Sequence, residues 1–380
     1  MATTSVLGPA DLGRANRARV IRALQVHGPM SRSEVARELG IGRGSVTTIV
    51  QPLLDQGLLL ELAKVPAAHG KPPRPLWFAD TWQLGAVFAA PDVLVVATVS
   101  LDGQVLQRSR ARFTDVDSFR TTLLTHSERL FRADTLLGIG VGSAGAVDVP
   151  TGTIMENYRI PTLNHLPLGP LLADHFGVPV YVDHHPRVQA IGDLWFGVGR
   201  DCRDFASVYT GDVLGVGLVA DGRAVHGPRG GGGEIGHTVV DQHGTRCMCG
   251  QLGCWYTVAS LGWLRDRARE LGIARPDELT SRILAADPSD AARTLRGEYA
   301  RNLALGLANL EQLLGSGTYV LHGDAAGGGD AFAALVAEEI TRRIPRRGAE
   351  IRVIAAPEQD DATILGAAGL VMFRTYDAQL

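Results

Sequence analysis

Three of the chain's four cysteines, Cys247, Cys249 and Cys254, fall within eight residues of one another in HTVVDQHGTRCMCGQLGCWY, which runs from His237 to Tyr256. His237 stands ten positions before the first of them. Thiolate sulfur and imidazole nitrogen suit zinc, and four such ligands close a tetrahedral shell with no position left for water or substrate. The expectation is one structural zinc per chain, held by His237, Cys247, Cys249 and Cys254 in a loop spanning 237–254. Gly250 and Gly253 shape so tight a loop. A disulfide is disfavoured, because C-x-C spacing strains the bond and cytosolic thiols stay reduced. The competing reading is ordinary buried thiols. Cys202 lies outside the cluster and reads as a core or loop thiol. Just upstream, Glu234 sits in GGGGEIGH, where a glycine-rich backbone lets a ligand approach. The competing reading there is that Glu234 only caps the loop.

A second set of residues points to nucleic acid. Residues 14–27 read as a helix, and HGPMSRSEVARELGIGRGSVTTIVQPLLDQGLLLE follows at 27–61. Ser31 with Glu34 is a capping box that opens a helix to about Leu39. Gly40 ends it, and Gly42–Arg43–Gly44 starts another that runs to about Gln56, with Gly57 as its cap. Two short helices joined by a glycine-containing turn are the helix-turn-helix pattern. Arg43, Ser45, Thr47 and Thr48 fall at the N-terminal end of the second helix, the end that meets base edges in the major groove. Val46, Ile49, Leu53 and Leu54 face the core, and Pro52 is expected to kink or weaken the helix near its middle. Leu58–Leu62 reads as the first strand of a wing, and the basic, Pro-rich KVPAAHGKPPRP as its tip or a linker.

From Trp82 the texture changes. Residues 84–90, 93–100 and 104–114 read as three strands, then strands and helices alternate. Meanders followed by βαβ units imply an α/β body of two lobes. The chain of 380 residues is 45% hydrophobic and 20% charged, enough for a sizeable core. Charges or turn residues interrupt every apolar run and the N-terminus lacks a basic-then-apolar pattern, so the expected setting is the cytoplasm, with no membrane partner. The net charge of −3 is uneven: residues 1–80 hold ten Lys and Arg against six Asp and Glu, a net +4 that leaves −7 for the rest. A basic front on an acidic body suits an anionic partner at the front.

The run VADGRAVHGPRGGGGEIGHTVVDQHGTRCMCGQLGC closely resembles the ROK family (repressors, open reading frames and sugar kinases), most specifically in GEIGH and the cysteine cluster. The helix-turn-helix resembles the operator-binding domain of that family's repressors, and the resemblance covers nearly the whole chain. It implies a winged helix-turn-helix at 11–76 and a two-lobed actin-like, ribonuclease-H-like ROK body at 80–378. The family's Cys₃His zinc site has the spacing found here. Lys71 and Arg74 in GKPPRP resemble a minor-groove arm.

The resemblance also implies two candidate activities. A ROK kinase carries an Asn-Asp pair whose Asp deprotonates the sugar; here those places hold His184 and His185. The first phosphate loop reads GAVFAAPD, with no acidic residue before a Gly pair; the second reads TGDVLGVG, where Asp212 repels phosphate; the adenosine segment reads HGDAAGG. These departures argue against ATP use, so no catalytic residue is assigned. The sugar-binding features survive in altered form: Glu234 and His237 of GEIGH, His184 and His185, Asn164 in LNHLPLG, and Tyr256 where a second Glu is usual. The reading is a DNA-binding transcriptional regulator, a repressor of carbohydrate-utilisation genes that responds to a sugar or oligosaccharide. It acts on operator DNA as a homodimer or homotetramer. The alternatives are a divergent ROK sugar kinase and a regulator controlled by a protein partner.

Overall fold

The computed structural model describes residues 9–64, 72–90, 93–157, 159–211, 213–227, 230, 232–344, 350–357 and 361–376. Helix α1 (Pro9–His27) begins five residues before the expected start, and α2 (Arg32–Leu39) and α3 (Arg43–Asp55) follow. The α2 start is set by Ser31 and Glu34: Ser31 Oγ accepts from the Glu34 N–H at 3.3 Å, and Glu34 Oε2 accepts from the Ser31 N–H at 2.7 Å. Helix α3 buries Val46, Val50 and Leu53 against α1 and α2, with Ile49 and Leu54 only half-buried. It runs through Pro52 to Asp55, one residue short of the expected end. Proline has no N–H to donate to the Thr48 carbonyl, which lies on the exposed face, while Val46, Val50 and Leu53 anchor the opposite face. Strands β1 (Leu59–Glu61) and β2 (Leu76–Phe78) pair antiparallel as a wing, with Met30 bridged to Leu76. Of the expected wing tip or linker at 64–75, residues 65–71, Lys71 included, lie outside the described residues.

The body repeats one topology twice. In the first lobe β3 (Gln83–Ala89), β4 (Val93–Ser100) and β5 (Val105–Arg112) form an antiparallel meander. After α4 (Val116–Leu130), β6 (Leu136–Ser143) joins parallel to β3. A small hairpin, β7 (Ala146–Asp148) and β8 (Thr153–Glu156), and α5 (Leu168–Phe176) precede β9 (Val180–His184), parallel to β6. The order is β5-β4-β3-β6-β9. Helix α6 (His185–Trp195) leads to the second lobe, where β10 (Phe205–Thr210), β11 (Leu214–Ala220) and β12 (Arg223–Ala224) form the second meander. The helices α7 (Tyr256–Ala259), α8 (Leu261–Glu270), α9 (Ser281–Ala286) and α10 (Asp290–Leu314) intervene before β13 (Thr318–Gly323). Strand β14 (Arg352–Ala355) follows α11 (Gly329–Arg343), and α12 (Ala362–Tyr376) ends the fold. The order β12-β11-β10-β13-β14 matches the first sheet place for place. The architecture is a winged helix-turn-helix ahead of a two-lobed, actin-like α/β body.

Helix α6 is buried along its whole length and packs on β6, β9, β10 and β11. Its neighbour is α12, and the two backbones touch directly. A Cβ on Gly366 would lie 1.7 Å from the Val188 carbonyl oxygen, and one on Gly192 2.1 Å from that of Ala362. Only glycine permits that approach. Helix α1 packs on both, so one core joins the front unit to the body. The Arg22 guanidinium lies 5.3 Å over the Trp195 ring, and Arg200 Nη1 donates to the Gln25 carbonyl at 3.1 Å.

Candidate functional site

The metal loop folds around two short bridges, Val239 with Cys254 and Arg246 with Leu252. Gly253 is left-handed (φ 67°), and its site leaves no room for a side chain, since a Cβ would lie 1.5 Å from the Asp241 carbonyl oxygen. This crossing brings together His237, Cys247, Cys249 and Cys254, whose ligand atoms all lie within 4.8 Å of one another. Cys247 Sγ is 3.4 Å from His237 Nδ1, and Cys249 Sγ is 3.6 Å from Cys254 Sγ. Bond lengths of about 2.3 Å to sulfur and about 2.0 Å to nitrogen, at tetrahedral angles, put ligand atoms about 3.5–3.8 Å apart. The set therefore fits a metal ion. Burial and the neighbouring thiols push Cys254 up to about 12 and Cys247 upward. At Cys249 burial is outweighed by the Gln251 N–H and the adjacent thiols, and its pKa is lowered. Three thiols so close ionise together only beside a cation, which inverts this balance.

The residues expected to meet an effector come from several elements. His184 ends β9 and His185 opens α6, while Glu234 precedes a 3₁₀ turn at Ile235–His237. Glu234 makes no side-chain cap on that turn. Its carboxylate instead lies 3.3 Å from His184 Nδ1. Surrounding protein raises its pKa, partly offset by His237 and Arg187. His185 is 3% exposed, packed at 5.0 Å and 5.8 Å between the rings of Tyr209 and Phe88. Neither of its ring nitrogens is hydrogen-bonded to protein. Burial drives its pKa down to about 3, so it stays a neutral imidazole with one donor and one acceptor, a match for a hydroxyl group. Burial, then His185, lowers His184 as well. Tyr256, at the start of α7, lies 6.4 Å from the His237 ring. Asn164 is placed differently: its Oδ1 accepts from the Asn157 N–H at 2.7 Å, so it braces the 157–164 loop.

Phe88 and Tyr209 also line a cleft of about 1330 Å³ between the lobes. On its walls Arg108 is ion-paired to Asp361, and Asp324 accepts from the Ser281 N–H at 3.1 Å and from its hydroxyl at 2.6 Å. Asp212 and residues 91–92 of the expected phosphate loops lie outside the described residues.

Reading the sequence missed a buried cluster beside the pocket. Asp183 is 0% exposed and Arg187 1%. Arg187 Nε and Nη2 lie 2.8 and 2.6 Å from Asp183 Oδ1, and His226 Nε2 lies 3.0 Å from Asp183 Oδ2. Arg187 Nη1 donates to the carbonyl of Gly232, two residues before Glu234. Burial raises the Asp183 pKa, but His226 and Arg187 outweigh it and hold it at about 2. The available signal was a charged residue on each of two otherwise apolar segments, VYVD and PRVQAIG.

On the front unit Arg43, Ser45, Thr47 and Thr48 are all exposed on one end of α3. The Thr47 and Thr48 hydroxyls donate back to the Arg43 and Gly44 carbonyls at 3.2 and 3.3 Å, which orients them. Arg74 is 54% exposed and lies 3.4 Å from Glu61, which also holds Arg32. Among the described residues no helix is long and apolar enough to cross a membrane.

The ROK family profile matches residues 92–373, and that of the MarR family residues 10–68. The chain is 25% identical over 393 residues to the DNA-binding transcriptional repressor Mlc of Escherichia coli K12, covering 97% of this chain and 96% of that one. It is 32% identical over 255 residues to a glucokinase of Halalkalibacterium halodurans, covering 62% of this chain and 76% of the enzyme. A crystal structure of a ROK family transcriptional regulator superposes with a TM-score of 0.78 at 24% identity, over 97% of this chain and 98% of that one. A MarR-type winged helix-turn-helix thus precedes a body matched over most of its length, and the chain belongs to the ROK family.

Proposed function

We propose that the chain is a DNA-binding transcriptional regulator, a repressor of carbohydrate-utilisation genes whose body binds a sugar or oligosaccharide. The observation that carries this reading is the exposed row of Arg43, Ser45, Thr47 and Thr48 on a helix whose unit is packed into the core of a pocket-bearing body. Arg43 pairs with guanine, and the hydroxyls reach bases or phosphates. Lys71 and Arg74 add a basic arm, Arg74 after giving up Glu61. Glu234, His184, His185, His237 and Tyr256 contact the carbohydrate, with Asn164 bracing the adjacent loop. One zinc per chain, on His237, Cys247, Cys249 and Cys254, holds the far side of the pocket. The protein works in the cytoplasm as a homodimer or homotetramer, since one winged helix covers too little DNA for high specificity.

The kinase relative makes a sugar kinase the rival reading. His185 counts against it, because a base with a pKa of about 3 is far too weak to take a proton from a sugar hydroxyl near neutrality. Within the cleft Arg108 is held by Asp361, and the Asp324 carboxylate is a poor neighbour for a triphosphate. Selection from a random duplex-DNA pool tests the function. The expected result is an enriched site of two half-sites spaced by about one or two helical turns, with affinity falling steeply as salt rises. No enrichment over bulk DNA would overturn it.

A further inference from the structure

We propose that Arg187 is a positioning residue that fastens the Gly232–Glu234 segment to α6, so that displacement of that segment reaches α1 of the front unit through α6. The proposal rests on the sensory reading of the pocket and adds the route by which the pocket speaks to the DNA-binding unit. Arg187 is in the first turn of α6. One face of its guanidinium holds Asp183 and another the Gly232 carbonyl, while Asp183 holds His226 on its second oxygen. The Gly232–Glu234 segment is thus held at two points, its Glu234 carboxylate beside His184 at the end of β9 and its Gly232 carbonyl by Arg187 of α6. An ion pair with both partners at most 1% exposed is a poor choice for stability alone, because desolvation offsets its attraction. Its fork geometry, in contrast, fixes three segments at once.

The rest of α6 is built to carry movement. Its contact with α12 runs backbone on backbone at Gly192 and Gly366, with no side chain between to absorb a shift. About 15 Å along the axis from His185 lies Trp195, 4% exposed, beneath the Arg22 guanidinium of α1. Just beyond the helix Arg200 donates to the Gln25 carbonyl, and Arg22 Nη2 donates to the Arg200 carbonyl at 3.2 Å.

Hydrogen exchange of α1 in the full-length, zinc-loaded chain tests this with neither sugar nor DNA present. Glu234→Lys serves as the perturbation of the segment. The expected result is at least a threefold change in α1 exchange when Arg187 is present. In the Arg187→Lys background, where one ammonium replaces the fork, the change should fall below 1.5-fold. Arg22→Ala combined with Arg200→Ala removes both polar links at the far end without touching the pocket and should give the same loss, which keeps the test intact should Arg187→Lys fold poorly. Equal changes in all backgrounds, or no change in any, would overturn the proposal. Failure to bind DNA would sink the function above and leave this result standing.

Discussion

Gly250 and Gly253 both adopt left-handed backbone in the metal loop, at φ of 91° and 67°, yet replacing them by alanine should have very different consequences. Each alanine pays about 1–2 kcal/mol for that backbone region. At Gly250 a methyl group meets no atom within 4 Å, so the penalty ends there. At Gly253 it meets the Asp241 carbonyl oxygen at 1.5 Å, where ordinary contact begins at 3.4 Å. The segments must part by about 2 Å. That breaks the bonds from the Val240 N–H to the Gly253 carbonyl and from the Gly253 N–H to the Thr245 carbonyl, both 2.9 Å. At about 0.5–1.5 kcal/mol each, these bring the local penalty for Gly253→Ala to about 2–5 kcal/mol before the metal is counted. Cys254, the next residue, moves with them. Zinc retention against a graded chelator is the assay. Gly250→Ala should hold zinc within about 30-fold of the parent, as 1–2 kcal/mol allows. Gly253→Ala should lose it at chelator levels the parent withstands. Equal retention by the two variants would refute the reasoning.

Arg43→Ala should relax preference at one base position, at about 1–3 kcal/mol, whereas Lys71→Ala should weaken all sequences about equally and reduce the salt slope by about one; unchanged discrimination by Arg43→Ala in a site-variant panel would reject the α3 assignment. His185 titrates near 6.5 unfolded and at about 3 folded, so the unfolded chain takes up a proton that the folded chain refuses. Its stabilising contribution is complete above pH 6.5 and is lost as pH falls towards 3, at up to about 1.4 kcal/mol per pH unit. Urea unfolding at pH 6 and 5 should therefore give a shallower acid loss for His185→Gln, the zinc loop being common to both chains. Asp183, held at about 2, adds its own loss only between pH 4 and 2.

Local signals carried most of the fold. The Ser31–Glu34 capping box, the Gly40 turn and the alternation of strands are short-range features, and α2, α3 and β3 to β5 lie within a residue or two of their expected places. The metal loop was equally legible, because its ligands are close in sequence. Of the Asp183–Arg187–His226 cluster, only the charges on two apolar segments were legible, not their meeting with His226. His226 is 39 positions beyond Arg187 in sequence, and no spacing rule joins a strand end, a helix turn and a glycine-rich segment. The hydrogen bond from the Asn157 N–H to Asn164 Oδ1 had no signal in the sequence, because it joins two positions of an irregular loop.

The central claim is that a carbohydrate in the Glu234 pocket governs DNA binding. The direct measurement is a screen of mono- and oligosaccharides at millimolar concentration for release of the full-length protein from its selected DNA site. Thermal unfolding is followed in parallel, with Glu234→Ala beside the parent. The account predicts that at least one carbohydrate raises the parent's melting temperature and releases the DNA. It predicts that Glu234→Ala loses both responses while its DNA affinity and zinc content stay near normal. No response to any carbohydrate, or a Glu234→Ala chain that first loses zinc and stability, would contradict it.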